Sequence, residues 1–340
     1  MTSKILILLD CSKTTNDKKW LENYFLNCKR NVSFLFADKK LSKLIRDGKL
    51  VQNYFLQIKQ AIISIFQTGS YSTIVCWYSV TGLIVNYLCR SLHLNRKIVI
   101  MNWLFNPERR TWTNFLEKAA VMNEHCYIMI NSRLAIERLI QHYNLGESNT
   151  HRLIFNPDVY DGEDMFISHN PKSVNDRYFF SGGMTNRDWA LYAKIAAAFP
   201  TYKFICCALK EDFESKVTNI PNNIVVKYNV PSDEYFNLMQ ESFTILLPLV
   251  SKEASGIINI IKAIQLGKIC LVSHSDATAQ YFSEDNKSYL MRSEDDWMHA
   301  ISDLIKLNDE EYKKQVVNFQ TFIIDNYSPE SMCKRLENII

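Results

Sequence analysis

The sequence predicts an α/β protein built from two successive parallel-sheet domains. Strand-length apolar runs alternate with helix-length amphipathic runs, and a polar, turn-rich segment interrupts this alternation near the middle of the chain. The length of 340 residues agrees with two domains, because it exceeds what one hydrophobic core usually organises. A sheet formed by such alternation is parallel and is covered by helices on both faces.

The first half of the chain contains five predicted strands and five predicted helices. The longest helix carries apolar residues at 51, 54, 55, 58, 62 and 65, a period near 3.6 residues. The predicted strands are 5–9, 32–37, 73–78, 97–101 and 126–131, and the predicted helices are 16–28, 50–66, 80–91, 112–124 and 134–143.

A second series follows a segment rich in Asn, Pro, Asp and Gly, the residues of turns and linkers. We expect an N-terminal domain at 1–160, a linker at 161–176, a C-terminal domain at 177–325, and a last segment at 326–340 that packs back on the N-terminal domain. The predicted strands are 178–181, 203–209, 224–228, 244–248 and 268–273, and the predicted helices are 189–199, 232–241, 257–266, 294–306, 309–326 and 329–340.

The composition is that of a globular protein inside the cell. The longest apolar runs, such as 243–250, have the length of strands, and the run 5–9 is too short for the core of a signal peptide. The nine cysteines include no Cys-x-x-Cys pair, and no His joins a Cys at ligand spacing. We therefore expect free, mostly buried thiols in a reducing compartment, with no metal site.

Charge is unevenly distributed along the chain. Residues 1–165 hold 21 Lys or Arg and 14 Asp or Glu, whereas the remainder holds 18 and 22. The basic half predicts contact with an anionic surface, such as the inner face of a membrane, and ordinary solvated charge is the alternative. Nucleic acid is not expected as a partner, because basic residues do not cluster with aromatic residues on any definable segment.

The segment 179–189 is typical of a phosphate-binding turn. A strand ends in Gly182-Gly183, and a helix begins soon after. Glycines allow close approach of a ligand to the backbone, and a helix N-terminus offers free N–H groups. Arg187 adds a bidentate donor for phosphate oxygens. A plain strand-to-helix turn with a solvated arginine is the alternative.

The segment 248–268 is the second candidate region. A buried strand ends at Pro248, an exposed polar loop carries Glu253, Ser255 and Gly256, and an apolar helix follows up to Gly267. Glu253 is placed to accept hydrogen bonds from sugar hydroxyls, and the N–H groups after Gly256 are placed to meet a phosphate or sugar oxygen. An acidic residue near a helix N-terminus is the structural alternative.

These two regions, in this order, resemble glycosyltransferase family 4. The shared pattern is strand-Gly-Gly-…-Arg-Asp over 178–188, followed by strand-Pro-…-Glu-x-x-Gly-…-Gly-Lys over 244–268. The resemblance implies the glycosyltransferase-B fold, in which two Rossmann-like domains face an interdomain cleft. It also implies an N-terminal acceptor domain and a C-terminal domain that binds a nucleotide-sugar donor, with UDP or GDP as the nucleotide and no cofactor.

The resemblance also implies roles for individual residues. Glu253 and Arg187 are the catalytic candidates, with Glu253 on the donor sugar and Arg187 on the diphosphate leaving group. The donor-binding candidates are Gly182, Gly183, Arg187, Lys210, Val230, Ser255, Gly256, Asn259 and Lys262. The acceptor-side candidates, which follow predicted strands of the first domain, are Asp10, Asn102 and Trp103.

The sequence departs from the family pattern at two points. The family's second glutamate falls on Ile261 when counted from Glu253, or on Lys262 when counted from Gly267, and neither residue accepts hydrogen bonds from ribose. The N-terminal domain also lacks the family's histidine after the strand 97–101. Either ribose recognition differs from that of the family, or Lys262 binds an anionic group, or the donor is unusual; a lysine that simply extends out of the helix is the structural alternative.

Three functions fit these residues. The first is transfer of a sugar, with retention of configuration and without a metal, to a glycan or lipid-linked acceptor in the synthesis of surface polysaccharide or glycoconjugate. The second is a non-catalytic binding or scaffold protein of the same fold, which the missing glutamate suggests. The third is a sugar-nucleotide epimerase, which needs more acid–base residues than this sequence offers.

Overall fold

The computed structural model describes residues 4–13, 18–37, 50–66, 71–103, 105, 113–160, 166–167, 177–184, 186–250 and 255–340, with the side chains of 50–53 excepted. The chain divides into two compact units. Unit 1 comprises Met1–Pro157 and Pro329–Ile340, and unit 2 comprises Asp158–Ser328. Each unit is built on a six-stranded parallel sheet, which confirms the predicted fold class. Most of the predicted linker lies outside the described residues.

Unit 1 has a sheet with the strand order β2-β1-β3-β4-β5-β6. Its strands are β1 (Ile5–Leu9), β2 (Val32–Phe36), β3 (Thr73–Cys76), β4 (Lys97–Ile100), β5 (Cys126–Ile130) and β6 (Leu153–Phe155). Its first six helices are α1 (Lys19–Asn27), α2 (Leu50–Phe66), α3 (Ser79–Ser91), α4 (Asn114–Val121), α5 (Arg133–Tyr143) and α6 (Glu147–Thr150). Strand β6 was not predicted, because three residues are too few to show a strand pattern.

Alternate residues of each strand form the core beneath α2–α5. Ile98 and Ile100 of β4, with Ile128 and Ile130 of β5, belong to one buried cluster with residues of these helices. The intervening residues are also buried, so the strands are continuously apolar rather than alternating. This composition explains why short apolar runs in the sequence predict the strands well.

Helix α2 follows the predicted amphipathic pattern only in part. Ile58 and Ile65 of its apolar stripe pack on the core, whereas Phe55 and Ile62 are exposed. The Gln60 amide is buried, and its Nε2 donates a hydrogen bond of 3.0 Å to the Leu9 carbonyl at the end of β1. A backbone acceptor inside the unit therefore helps to fix the orientation of the helix.

Unit 2 has a sheet with the strand order β12-β11-β10-β7-β8-β9. Its strands are β7 (Tyr178–Gly182), β8 (Lys203–Ala208), β9 (Ile224–Tyr228), β10 (Thr244–Leu247), β11 (Cys270–Ser273) and β12 (Leu290–Met291). Its helices are α7 (Trp189–Ala198), α8 (Lys210–Glu214), α9 (Ser232–Glu241), α10 (Ile257–Gln265), α11 (Asp276–Ala279), α12 (Glu294–Leu304) and α13 (Asp309–Asn326), with a 3₁₀ turn at Glu284–Tyr289. Counted from β7, this is the Rossmann strand order.

The helix ends of unit 2 carry clear stop and start signals. Gly267 lies one residue beyond the end cap of α10 and has a φ of 68°, so it takes the left-handed conformation predicted for it. Ser293 caps α12 and Asn308 caps α13, each with a reciprocal capping box. These caps satisfy N–H groups that would otherwise lack partners at helix starts.

The chain enters and leaves unit 2 at neighbouring positions. The Tyr160 N–H donates a hydrogen bond of 3.2 Å to the Tyr327 carbonyl. The last helix, α14 (Pro329–Glu337), then packs on α1, where the Tyr24 hydroxyl donates to a Glu337 carboxylate oxygen at 2.9 Å. Unit 2 is thus an insertion between the main part of unit 1 and its last helix.

All nine cysteines are free, and Cys28 is the exposed one. Burial raises the pKa of the Cys89 and Cys207 thiols to about 11, which keeps them protonated. Among the helices that the structure describes, none has the length and apolar character needed to cross a bilayer.

Gly82 tests the packing of α3 on the sheet. A methyl group at this position would lie 2.9 Å from the Ile100 Cγ1 and 3.1 Å from the Cys76 Cβ. We expect Gly82→Ala to lower the free energy of unfolding by about 1–2 kcal/mol, because overpacking outweighs the gain in helix propensity. Urea denaturation followed by circular dichroism measures this change. Gly146→Ala is the matched control, since nothing lies within 4 Å of its added methyl, and equal losses in both variants would contradict the packing account.

Candidate functional site

The strand order of unit 2 selects one edge of its sheet as the candidate site. The strand order runs outward in opposite directions from β7 and β10, which are parallel neighbours in the sheet. Ligands of open α/β sheets bind at such switch points, beyond the carboxyl ends of the strands. Strand β7 ends at Gly182 and β10 ends at Leu247, so the two segments singled out in the sequence begin side by side here.

The two loops are held together by backbone hydrogen bonds. The Asp188 N–H donates to the Pro248 carbonyl at 2.9 Å, and the Val250 N–H donates to the Asn186 carbonyl at 3.2 Å. Arg187 and Leu249 form an isolated antiparallel bridge between these bonds. Asp188 also caps α7, with its carboxylate accepting from the Leu191 N–H at 2.9 Å. The loop after β7 is therefore anchored at both of its ends.

Gly182 and Gly183 are required by their protein neighbours as well as by any ligand. A methyl group on Gly182 would lie 2.5 Å from a ring carbon of Tyr235, and one on Gly183 would overlap the guanidinium of Arg187. Gly183 also has a φ of 134°, which side-chain-bearing residues rarely adopt. The sequence indicated the tight turn but not the side chains that fill it.

Arg187 lies beneath this turn rather than in solvent. It is 4% exposed, and its Nε donates a hydrogen bond of 2.8 Å to the Gly182 carbonyl. Burial lowers the pKa of the guanidinium, and the charge of Asp212 opposes part of this effect. Because arginine keeps its proton in proteins, a fixed positive charge lies directly under the glycine turn.

Asn259 connects α10 to the same carbonyl. Its Nδ2 donates to the Gly182 carbonyl and to the Tyr235 hydroxyl, each at 2.9 Å. Gly182 therefore accepts two side-chain hydrogen bonds, one from Arg187 and one from Asn259. Burial raises the pKa of Tyr235, so its hydroxyl stays neutral. Sequence reasoning missed Tyr235, because an aromatic residue on an amphipathic helix carries no distinguishing signal.

The loop after β10 leads into the N-terminus of α10. Ser255 is buried, and Gly256 takes the N-cap position with a φ of 75° and no side-chain cap. The residue that caps α10 therefore has no side chain of its own with which to accept hydrogen bonds from the first N–H groups of the helix. Glu253, the predicted sugar-binding and catalytic residue, lies outside the described residues.

The two positions that could match the family's second glutamate have different environments in the structure. Ile261 is buried in the core of unit 2, whereas Lys262 is half-buried and its Nζ lies 5.3 Å from the centre of the Phe236 ring. A cation over an aromatic face is stabilised by the ring quadrupole. Of these two residues, Lys262 is therefore the one whose side chain lies on the partly exposed side of α10.

Two further donor-side candidates lie on neighbouring strand exits. Lys210 begins α8 after β8, is exposed, and lies 4.0 Å from the Glu214 carboxylate one turn later. Val230 follows β9 and packs partly against the core of unit 2, directly after Asn229, which has a φ of 53°. Neither residue contacts the Gly182–Arg187–Asn259 cluster through a hydrogen bond that the structure describes.

The three acceptor-side candidates belong to unit 1. Asp10 follows β1 and forms an ion pair of 3.1 Å with Lys18, whose Nζ also lies 5.1 Å from the centre of the Trp77 ring. Asn102 follows β4 with a φ of 52°. Trp103 is 2% exposed within the core, and its backbone N–H donates to Met129. Its side chain therefore packs inside the unit.

A buried positive charge, a glycine turn and the N-terminus of α10 lie at one sheet edge in unit 2. This combination suits an anionic group such as a diphosphate. Within the described ranges, no cluster of three His, Cys, Asp or Glu side chains is arranged to hold a metal ion.

Comparison with solved structures shows the same fold in glycosyltransferases. HepE from Anabaena, in complex with UDP and glucose, is 15% identical, with a TM-score of 0.64 over 99% of this chain and 98% of HepE. The lipopolysaccharide outer core galactosyltransferase WaaB is 13% identical, with a TM-score of 0.58 over 99% and 98%. An α-glucosyltransferase in complex with UDP-glucose and DNA is 11% identical, with a TM-score of 0.62 over 99% of both chains.

No protein-family model matches the chain, and no curated protein matches it significantly in sequence. At these identities the likeness establishes the glycosyltransferase-B fold, as the motifs predicted, and does not confirm membership of family 4.

Gly183 tests the geometry of the turn. We expect Gly183→Ala to lower the free energy of unfolding by about 2–5 kcal/mol, because its φ is strained for alanine and its methyl displaces Arg187. The matched control is Gly256→Ala, whose methyl meets Leu249 at an ordinary 3.5 Å and whose φ costs about 1–2 kcal/mol. Urea denaturation of both variants measures the difference, and equal losses would contradict the role given to Arg187.

Proposed function

We propose that this protein is a glycosyltransferase that uses a nucleotide-sugar donor, with UDP as the nucleotide. The observation that carries the proposal is the site at the switch point of unit 2. There, the Gly182–Gly183 turn lies over the buried guanidinium of Arg187 and beside the N-terminus of α10. The diphosphate of the donor binds at this edge in the proposal. The UDP or UDP-glucose complexes among structures of this fold support the choice of nucleotide.

The proposed chemistry needs charge stabilisation more than acid–base groups. Negative charge develops on the diphosphate as the bond to the sugar breaks, and fixed dipoles and charges that point at that position lower the barrier. Arg187 acts from below the turn, through the field of its buried charge, because its Nε is engaged with Gly182. The N–H groups at the start of α10 act directly on the oxygens. Transfer without a metal and with retention of configuration completes the proposal.

Sugar recognition is assigned to the loop after β10. Glu253 accepts hydrogen bonds from donor-sugar hydroxyls in this proposal, with Ser255 and Gly256 lining the same pocket. Asn259 acts as a positioning residue, since its Nδ2 is engaged by the Gly182 carbonyl and the Tyr235 hydroxyl. Lys210 and Val230 remain proposed contacts of the diphosphate and nucleobase.

Unit 1 provides the acceptor side in this proposal. Asp10 and Asn102 follow parallel strands at the carboxyl edge of its sheet, where ligands of such sheets bind. Trp103 contributes by packing, because its side chain is buried. The proposed acceptor is a glycan or a lipid-linked sugar, as the resemblance implies.

A non-catalytic protein that binds a sugar nucleotide is the second candidate. The observation that favours it is Lys262, whose ammonium lies over Phe236 at the level where the family carries an acceptor for ribose. A donor can bind such a site without being turned over, since binding and transition-state stabilisation are separate properties.

Glu253 distinguishes the two candidates. We expect Glu253→Gln to leave UDP affinity unchanged and to reduce UDP release from the preferred UDP-sugar by about 100-fold, because it weakens sugar contacts that strengthen in the transition state. Calorimetry with UDP and a coupled assay for UDP release over a panel of UDP-sugars measure the two properties. Glu211→Gln is the matched control, since Glu211 is an exposed glutamate on α8.

UDP binding without release from any UDP-sugar would favour the non-catalytic protein. Absence of binding by UDP and by GDP would contradict both candidates, because each of them binds a sugar nucleotide.

A further inference from the structure

Three adjacent helices of unit 1 present an unusual outward surface. Helix α2 packs on α3, and α3 packs on α4, all on one side of the sheet. Their exposed side chains are large and apolar or positively charged. We call this set the apolar–basic face, and it comprises Phe55, Lys59, Ile62, Ile63, Phe66, Tyr87, Arg90, Phe115 and Lys118, with Met122 just beyond the end of α4.

The apolar members are well exposed. Phe55 and Phe66 on α2 are 71% and 70% exposed. Tyr87 of α3 and Phe115 of α4 form an edge-to-face pair with ring centres 5.6 Å apart, and both are exposed. The Arg90 guanidinium donates to the Ala119 carbonyl at 3.0 Å and joins the same two helices. Exposed apolar side chains on adjacent helices of this kind mark an interaction site on soluble proteins.

Folding of unit 1 does not account for this face. Helix α2 buries Ala61 and Ile65 together with Gln57, Gln60 and Ser64, yet it leaves Phe55 and Phe66 exposed. The orientation of α2 therefore leaves its largest apolar side chains outside the core. An external apolar phase is what stabilises such a face.

The three helices supply exposed charge of one sign to the face, and the exposed Glu124 lies two residues beyond Met122. Glu117 is the single acidic residue in the sequences of α2, α3 and α4. It points inward, where it accepts hydrogen bonds from Thr113 and Tyr143, and burial raises its pKa. The exposed cations Lys59, Arg90 and Lys118 thus lie among apolar side chains with no exposed carboxylate from the described side chains of these helices.

We propose that the apolar–basic face docks on the surface of an anionic lipid bilayer. Large apolar side chains enter the boundary between headgroups and acyl chains, and Lys and Arg beside them bind anionic headgroups. The inference does not depend on the donor specificity proposed above. It assigns a surface to the membrane contact that the charge of the first half of the chain predicts.

Two other partners fit the face less well. A second copy of the chain, paired through a two-fold axis, would bring two sets of the same three cations into one interface without compensating carboxylates from these helices. Nucleic-acid sites are dominated by positive charge, whereas this face has seven large apolar side chains and three cations. The aliphatic Ile62, Ile63 and Met122 also offer no ring on which a base could stack.

Sedimentation with vesicles tests the proposal on the full chain. We expect binding to vesicles of equal parts phosphatidylglycerol and phosphatidylcholine, and little binding to phosphatidylcholine alone. Phe55→Ser/Phe66→Ser and Lys59→Glu/Lys118→Glu should each weaken partitioning by about tenfold or more. The matched controls are Leu26→Ser, an exposed apolar residue on α1, and Lys313→Glu/Lys314→Glu, exposed lysines on α13.

Unchanged melting temperature and UDP affinity in the face variants would show that only docking has changed. Binding to neither vesicle, or equal weakening by the controls, would overturn the proposal. It would also be overturned by a concentration-dependent dimer that Phe55→Ser/Phe66→Ser abolishes, or by binding to single-stranded DNA that outcompetes the vesicles. Loss of UDP binding with vesicle binding intact would instead contradict the donor site alone.

Discussion

The hydrogen bond from the Arg187 Nε to the Gly182 carbonyl organises unit 2. It keeps a charge inside a low-dielectric interior, where an unpaired guanidinium would be strongly unfavourable. The same carbonyl accepts from Asn259, so β7, the loop after it and α10 meet at one oxygen. Lys216 extends the arrangement by donating to the Arg187 carbonyl at 3.0 Å while it pairs with Asp212. Gly182, Gly183 and Tyr235 all pack around this contact.

The two units differ in where their polar and apolar side chains lie. Unit 2 places polar groups at the carboxyl edge of its sheet, where they engage one another closely. Unit 1 places buried amides beneath α2 and apolar side chains outside it. The buried Gln60 is accommodated there because its amide donates a hydrogen bond to the Leu9 carbonyl.

Long, continuously apolar strands and strongly amphipathic helices could be predicted from sequence to within a few residues. Strand β12 could not, because its two residues gain their conformation only by pairing with β11. Gly182, Gly183, Arg187 and the start of α10 could be named as candidates because strand-to-helix turns have local sequence signals. Tyr235 was missed because its position depends on packing. The buried face of α2 was not evident, because Gln60 is oriented by the distant Leu9 carbonyl. Exposed aromatic and basic residues cluster only once three separate helices are assembled.

The bond between Tyr160 and Tyr327 has a consequence for the architecture of the chain. The ends of the inserted unit lie next to each other. A domain whose termini adjoin can be moved into a surface loop of another protein, or exchanged between relatives, without stretching either host. Unit 2 therefore meets the geometric condition for transfer as an intact domain, and the last helix belongs to unit 1.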